Sequence, residues 1–135
     1  MLLVDTNIVA YLLIHGDHTE DAQRLRKRDP DWRSEAFLMI EFTNVLAASV
    51  AARRITFPAA QDCLAKATAL LEGKLARIAH GAALAKAVRF RVSAYDARFL
   101  TLADQLGSRL VTEDAKLRTA APGLTQSLAD ALARV

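Results

Sequence analysis

Two short apolar runs constrain this chain more than anything else in it. Met1-Leu2-Leu3-Val4 closes on Asp5, and Arg109-Leu110-Val111-Thr112 is followed two residues later by Asp114. A run that is brief, apolar throughout and ended by an acid reads as a strand buried on both faces, as in a parallel sheet. Residues 32–35 read as a third strand and 75–79 as a strand or a loop. Helical patterns fill the spaces between them: 8–14 ended by Gly16, 18–28 with Ala22 and Leu25 inward, 36–54 ending in two arginines, 58–71 stopped by Gly73, 81–91, and 93–106 closed by Gly107. Asp29-Pro30-Asp31 and Pro122-Gly123 are turns, and 126–135 is expected to finish as a helix. Strands separated by helices of this length require right-handed crossovers. The expected fold class is therefore α/β, three layers around a central parallel sheet of four to five strands, organised as one domain over residues 1–135. In that architecture ligands bind beyond the carboxyl ends of the strands, where Asp5 and Asp114 both fall.

Composition narrows the class of partner. At 53% hydrophobic and 24% charged residues the chain has ordinary globular usage, which excludes disordered and fibrous classes. No apolar stretch is long enough to cross a bilayer, and no basic leader or cleavage site precedes the first strand, so a cytoplasmic protein is expected. Cys63 stands alone, which excludes an intrachain disulfide and a thiolate zinc cluster. The formal charge is +3, and the surface is more basic than that if several acids are withdrawn into a cleft. Such a surface favours polyanions.

Four carboxylates carry the chemistry. Asp5 projects at the end of a strand, although an acid there also helps to begin the next helix. Thr6 and Asn7 read as caps that could in addition orient the Asp5 carboxylate. Glu41 shares a helix face with Phe37, Leu38, Val45 and Ala48, so it must be protonated, paired with a base or bound to a cation. Asp96 follows Ser93 at capping-box spacing. Asp114 stands just past a strand, where Thr112 could cap a short helix over 114–118, and Glu113 is expected to face solvent. One shared cause accounts for all four better than four separate ones. Hard oxygen donors without a nearby His or Cys favour magnesium or manganese; His15, His18 and His80 have no ligand spacing.

These residues resemble the PIN-domain ribonucleases and, within them, the VapC-type toxins of toxin–antitoxin pairs. The resemblance rests on Leu-Val-Asp5-Thr-Asn, Glu41 in the third helix, Tyr95-Asp96-Ala97-Arg-Phe-Leu-Thr-Leu-Ala, and Leu-Val-Thr112-Glu-Asp114. It implies a PIN-like fold and an acidic pocket of Asp5, Glu41, Asp96 and Asp114 that is both catalytic and metal-binding, with Asn7 and Thr112 assisting. It also implies a homodimer, larger assemblies with a cognate antitoxin, and an antitoxin segment that obstructs the pocket. Residues 15–33 and 55–79 match none of the family's diagnostic motifs.

The expected activity is cleavage of single-stranded or looped RNA by metal-activated water, leaving a 5′ phosphate and a 3′ hydroxyl. Arg98 and Lys116 are the candidate phosphate contacts because they are nearest in sequence to site acids. Two other readings stay open. A phosphohydrolase of the haloacid-dehalogenase kind would need a second Asp where Asn7 stands, and a non-catalytic PIN-like module would use the acids only to bind a structural ion or a partner's arginine.

Overall fold

A computed structural model describes residues 1–134. Val135, the last position of the expected final helix, lies outside the described residues. In chain order the elements are β1 (Leu2–Val4), α1 (Thr6–Leu13), α2 (Thr19–Arg28), β2 (Trp32–Glu35), α3 (Phe37–Ala51), α4 (Phe57–Leu70), β3 (Leu75–Ala76), α5 (His80–Phe90), α6 (Ala94–Leu106), β4 (Leu110–Val111), α7 (Ala115–Ala120), β5 (Thr125–Gln126) and α8 (Leu128–Arg134). The strands form one sheet in the order β3-β2-β1-β4-β5, parallel at every pairing. From β1 the sheet grows through β2 to β3 on one side, then returns to the other side with β4 and β5. The order reverses between β1 and β4, and at that point the outgoing loops part and leave a crevice at the carboxyl edge.

β1 and β4 are short and apolar because both of their faces are covered. Leu3, Val4, Trp32, Leu110 and Val111 are completely buried, and Ile8, Leu25, Leu38, Phe42 and Leu100 pack onto them from the helices. Each such side chain contributes about 1.5–3 kcal/mol by leaving water. Helices α1 to α4 pack on one another, α2 also meets α8, and α5 pairs with α6, which in turn lies against β2 and β4. Local chemistry sets the helix ends: Thr56 caps α4 with Pro58 in its first turn, and Gly107 closes α6 in the left-handed region at φ 62°.

Two expectations need correction, and an open one is settled. The long helix stops at Ala51 rather than 54, because the chain turns through Arg53 at φ 58° and Arg54 bonds back to Ser49. The segment read as the start of the last helix opens instead with β5, whose residues pair with Leu110 and Val111. The helix begins only at Leu128, after Ser127 has accepted the Asp130 amide. The loop-or-strand at 75–79 is a two-residue strand, β3, on β2. Among the described residues no helix is long and apolar enough to cross a membrane.

Candidate active site

The crevice at the order reversal is a cleft of about 420 Å³, and Asp5, Glu41, Asp96 and Asp114 all line it. Four positions far apart in sequence meet there because three of them are helix starts pointed at the same edge of the sheet. Asp5 leaves β1 and is the N-cap of α1, its Oδ1 accepting from the Ile8 amide at 3.2 Å. Asp114 leaves β4 and is the N-cap of α7, accepting from the amides of Lys116 and Leu117. Asp96 stands in the first turn of α6, its amide bound by Ser93 Oγ at 3.0 Å. The cap readings of these acids are thus correct and do not compete with a role in the cleft, since the positive ends of α1, α6 and α7 favour negative charge at one place. For Asp114 the detail differs from expectation: it caps α7 itself, while Thr112 Oγ1 accepts from the Asp114 amide at 3.1 Å.

Glu41 comes from the middle of α3, without a helix end to favour it. Thr6 Oγ1 donates to Glu41 Oε1 at 2.7 Å, so Thr6 serves Glu41 rather than capping a helix. The salt bridge considered for Glu41 is not there: among the described residues its carboxylate pairs with no Lys or Arg. Thr112 is fully buried, and its side chain favours the charged form of Asp5 while its Oγ1 holds the Asp114 amide. Asn7 lines the cleft and lends Asp5 its backbone amide.

The electrostatics are those of uncompensated acids. Burial pushes Asp5 up to about 6 from the ordinary 3.8, with repulsion from Glu41 adding to it; bonds from Thr112, Ile8 and Asn7 pull the other way. Burial also raises Glu41, with the charges of Asp96 and Glu35 adding, and Thr6 opposing. Asp96 is raised by burial and then by Asp114. Tyr11, which the sequence did not single out, is raised first by burial and then by Asp5 and Glu113, which places its hydroxyl near the acids. Glu113 is only partly exposed and pairs with Arg118 at 2.8 Å, against the expectation of a solvated side chain.

The two basic residues expected at the cleft are not on its lining. Arg98 turns away to Glu35, donating from Nε at 3.3 Å, and also donates to the Ile78 carbonyl at 2.9 Å. Glu35 is 1% exposed, and a carboxylate so deeply buried captures the nearest guanidinium. Lys116 is exposed and touches Asp114 through its backbone amide. Sequence reasoning missed Glu35 itself; its only signal was an acid closing a short strand.

The cleft lining includes no lysine, arginine or histidine. Four oxygen acids, three of them raised both by burial and by the charge of another acid of the four, are the donor chemistry that a hard dication such as magnesium or manganese neutralises. As placed, no group of three or more His, Cys, Asp or Glu among the described residues is drawn together closely enough to hold an ion. The donors therefore fit by type and charge, and binding would have to draw the side chains inward.

The family model described as PIN domain matches residues 2–122. The crystal structure of PAE2754 from Pyrobaculum aerophilum is similar to this chain with a TM-score of 0.74, covering 98% of this chain and 94% of that one at 23% sequence identity, a likeness of fold. No curated protein matches this chain significantly.

Proposed function

The chain belongs to the PIN domain family, and from that premise we propose that it is a magnesium- or manganese-dependent endoribonuclease acting as the VapC-type toxin of a type II toxin–antitoxin pair. PIN domains are generally nucleases, and nuclease chemistry is what the cleft is equipped for. The observation that supports the reading most is the convergence of Asp5, Glu41, Asp96 and Asp114 on one cleft whose lining has no basic side chain. Asp5 and Asp96 would hold the ion, with Asp114 and Glu41 completing its shell directly or through water. When bound, a dication of this kind supplies Lewis acidity toward a phosphodiester oxygen and lowers the pKa of a coordinated water.

The chain's own part is positional. Helix starts and Thr112 fix Asp5 and Asp114, and Thr6 holds Glu41 in its charged form toward the cleft. Flexible RNA can bring a phosphate down to acids at this depth, which a rigid duplex cannot. Hydrolysis is expected to leave a 5′ phosphate and a 3′ hydroxyl. A cytoplasmic homodimer, held in check by an antitoxin segment that covers the cleft, completes the reading.

One observation favours a second reading, a non-catalytic PIN-like module: the acids are not preassembled into a metal cage. Incubation of the purified protein with single-stranded RNA separates the two. Cleavage that is abolished by chelator, restored by magnesium or manganese, and reduced by about 100-fold or more in Asp5→Asn and Asp96→Asn is the expected result. Absence of cleavage would overturn the nuclease assignment in favour of the non-catalytic module, and cleavage that survives chelation, or that both variants retain in full, would overturn a metal-dependent site at these acids.

A further inference from the structure

Beside the acidic cleft lies a second groove of about 640 Å³, lined by Glu35, Arg77, His80 and Arg98 and sharing Phe37, Ile40 and Tyr95 with the cleft as a common wall. Its chemistry is the reverse of its neighbour's. The Glu35 carboxylate is turned inward, accepting from the amides of Phe37 and Ile78 and from Arg98 Nε, so the open face of the groove presents donors. Arg98 spends three of its five N–H donors on Glu35, the Ile78 carbonyl and His80 Nδ1. Two remain. Because a guanidinium only donates, His80 Nδ1 must accept, which makes Nε2–H the donor of the ring. Arg77 is exposed, and the first turn of α5 starts there at His80 with Ala79 at its N-cap and no side chain to accept its amides.

The wall between the two hollows is aromatic. Phe37 and Tyr95 stack with ring centroids 5.1 Å apart and planes 9° from parallel. Tyr95 is nevertheless 61% exposed and Ile40 64%. One face of the tyrosine is backed by phenylalanine while the residue as a whole stays largely exposed, which suits a stacking platform for a nucleobase. A base on Tyr95 would place the phosphates on either side of it over the acids in one direction and over the donors in the other.

We propose that the groove of Arg77, His80 and Arg98 is the track that receives the RNA strand running out of the acidic cleft, with a backbone phosphate on its donors and the intervening base on Tyr95. The proposal rests on the nuclease reading for its substrate. It adds where the flanking nucleotide goes, and it accounts for phosphate binding without the cleft itself having a basic residue.

The test uses the exposed residues Arg77, His80 and Tyr95, leaving Arg98 in place because its loss would strand Glu35. A fluorescent single-stranded RNA of about ten nucleotides is titrated by anisotropy into the intact protein in chelator, and KM for cleavage of the same RNA is measured with manganese. Arg77→Ala is expected to lower the slope of log Kd against log salt by about 0.7, the share of one phosphate contact on a single strand. Tyr95→Ala should weaken binding by about fivefold or more while Tyr95→Phe retains it, and His80→Ala should raise KM with kcat little changed. If the protein cleaves RNA while affinity, KM and slope are the same in all these variants, the track is wrong and the nuclease reading stands. If it cleaves nothing yet the variants still weaken binding as stated, the nuclease reading falls and the track survives as a nucleic-acid site. Absence of oligonucleotide binding by the intact protein, or variants that shift the sedimentation coefficient and not RNA affinity, would overturn the track, the latter by showing that the groove faces a second copy of the chain.

Discussion

Asp5 and Glu35 end neighbouring strands at the same edge of the sheet and are the two most deeply buried acids there, at 8% and 1% exposure. Their surroundings differ in one respect. Glu35 has two backbone amides and the guanidinium of Arg98, so its charge is answered within the chain. Asp5 has the Ile8 amide and the polar groups of Thr112 and Asn7 but no cation, and the charge that acts on it is that of another acid, Glu41. Side by side on one sheet edge, a carboxylate is thus neutralised in one place and left wanting in the other. Folding alone favours the first arrangement, since an unanswered buried charge costs several kcal/mol or roughly that. The second marks where a charge from outside belongs, and a local rule broken at a cleft is broken for function.

Removing the answering charge from the paired region should make it resemble the unpaired one, with the largest effect of all. Arg98→Ala leaves Glu35 buried without its counter-ion and is expected to lower unfolding free energy by about 3–5 kcal/mol. Glu35→Gln combined with Arg98→Met should recover much of that loss, because no charge is then stranded. Urea unfolding followed by circular dichroism measures both. A cost below about 1 kcal/mol for Arg98→Ala would mean that the two regions do not differ as claimed.

The opposite change in the unpaired region should stabilise. Asp5 holds its proton up to about 6 in the folded chain and releases it near 3.8 when unfolded. Between those values the native state binds more protons than the unfolded state, so stability falls as pH rises through the window, and the deficit is complete above it. Asp5→Asn removes the deficit while keeping a side chain that caps α1 equally well. In chelator the variant is expected to exceed the wild type by on the order of 2–3 kcal/mol at pH 7.5 and to match it below about pH 4. Added magnesium or manganese should then raise the melting temperature of the wild type and leave the variant nearly unmoved. Thermal melts across pH, with and without metal, give the answer; a variant less stable than the wild type at neutral pH contradicts it.

Much of the unpaired region was legible in sequence, and little of the paired one. Asp5 and Asp114 announce themselves because each closes an apolar run, and Glu41 because it interrupts an apolar face. Parallel strands joined by helical crossovers follow from the alternation of runs and helices, whereas the order of the strands comes from the fold. Glu35 stayed hidden because its partners, the Ile78 amide and Arg98, lie 43 and 63 residues away and are brought to it only by β3 and α6. Arg98 was expected at the cleft on its sequence proximity to Asp96, but residues two apart on a helix diverge, and it faces the neighbouring groove. β5 escaped notice for a different reason: two residues, Thr125 and Gln126, have no pattern of their own, and the edge of β4 supplies their structure.

The finest distinction within the cleft concerns Glu41, the one acid without a helix start beneath it. Its charged form relies on Thr6, whose hydroxyl donates to the carboxylate, against burial and the charges of Asp96 and Glu35. Thr6→Val keeps the shape of this buried position and removes only the donor. Glu41 must then hold its proton to a higher pH than in the wild type, because a bond that favoured the ionised form is gone. The acid limb of the pH–rate profile with manganese should move upward in pH, with activity at neutral pH lowered by less than about tenfold, the worth of one hydrogen bond to a charged group. Asp5 has several bonds of this kind, so a single deletion around it should move the limb less. Superimposable profiles for Thr6→Val and wild type would mean that Glu41 does not need its charge, leaving three acids rather than four to answer for the cleft.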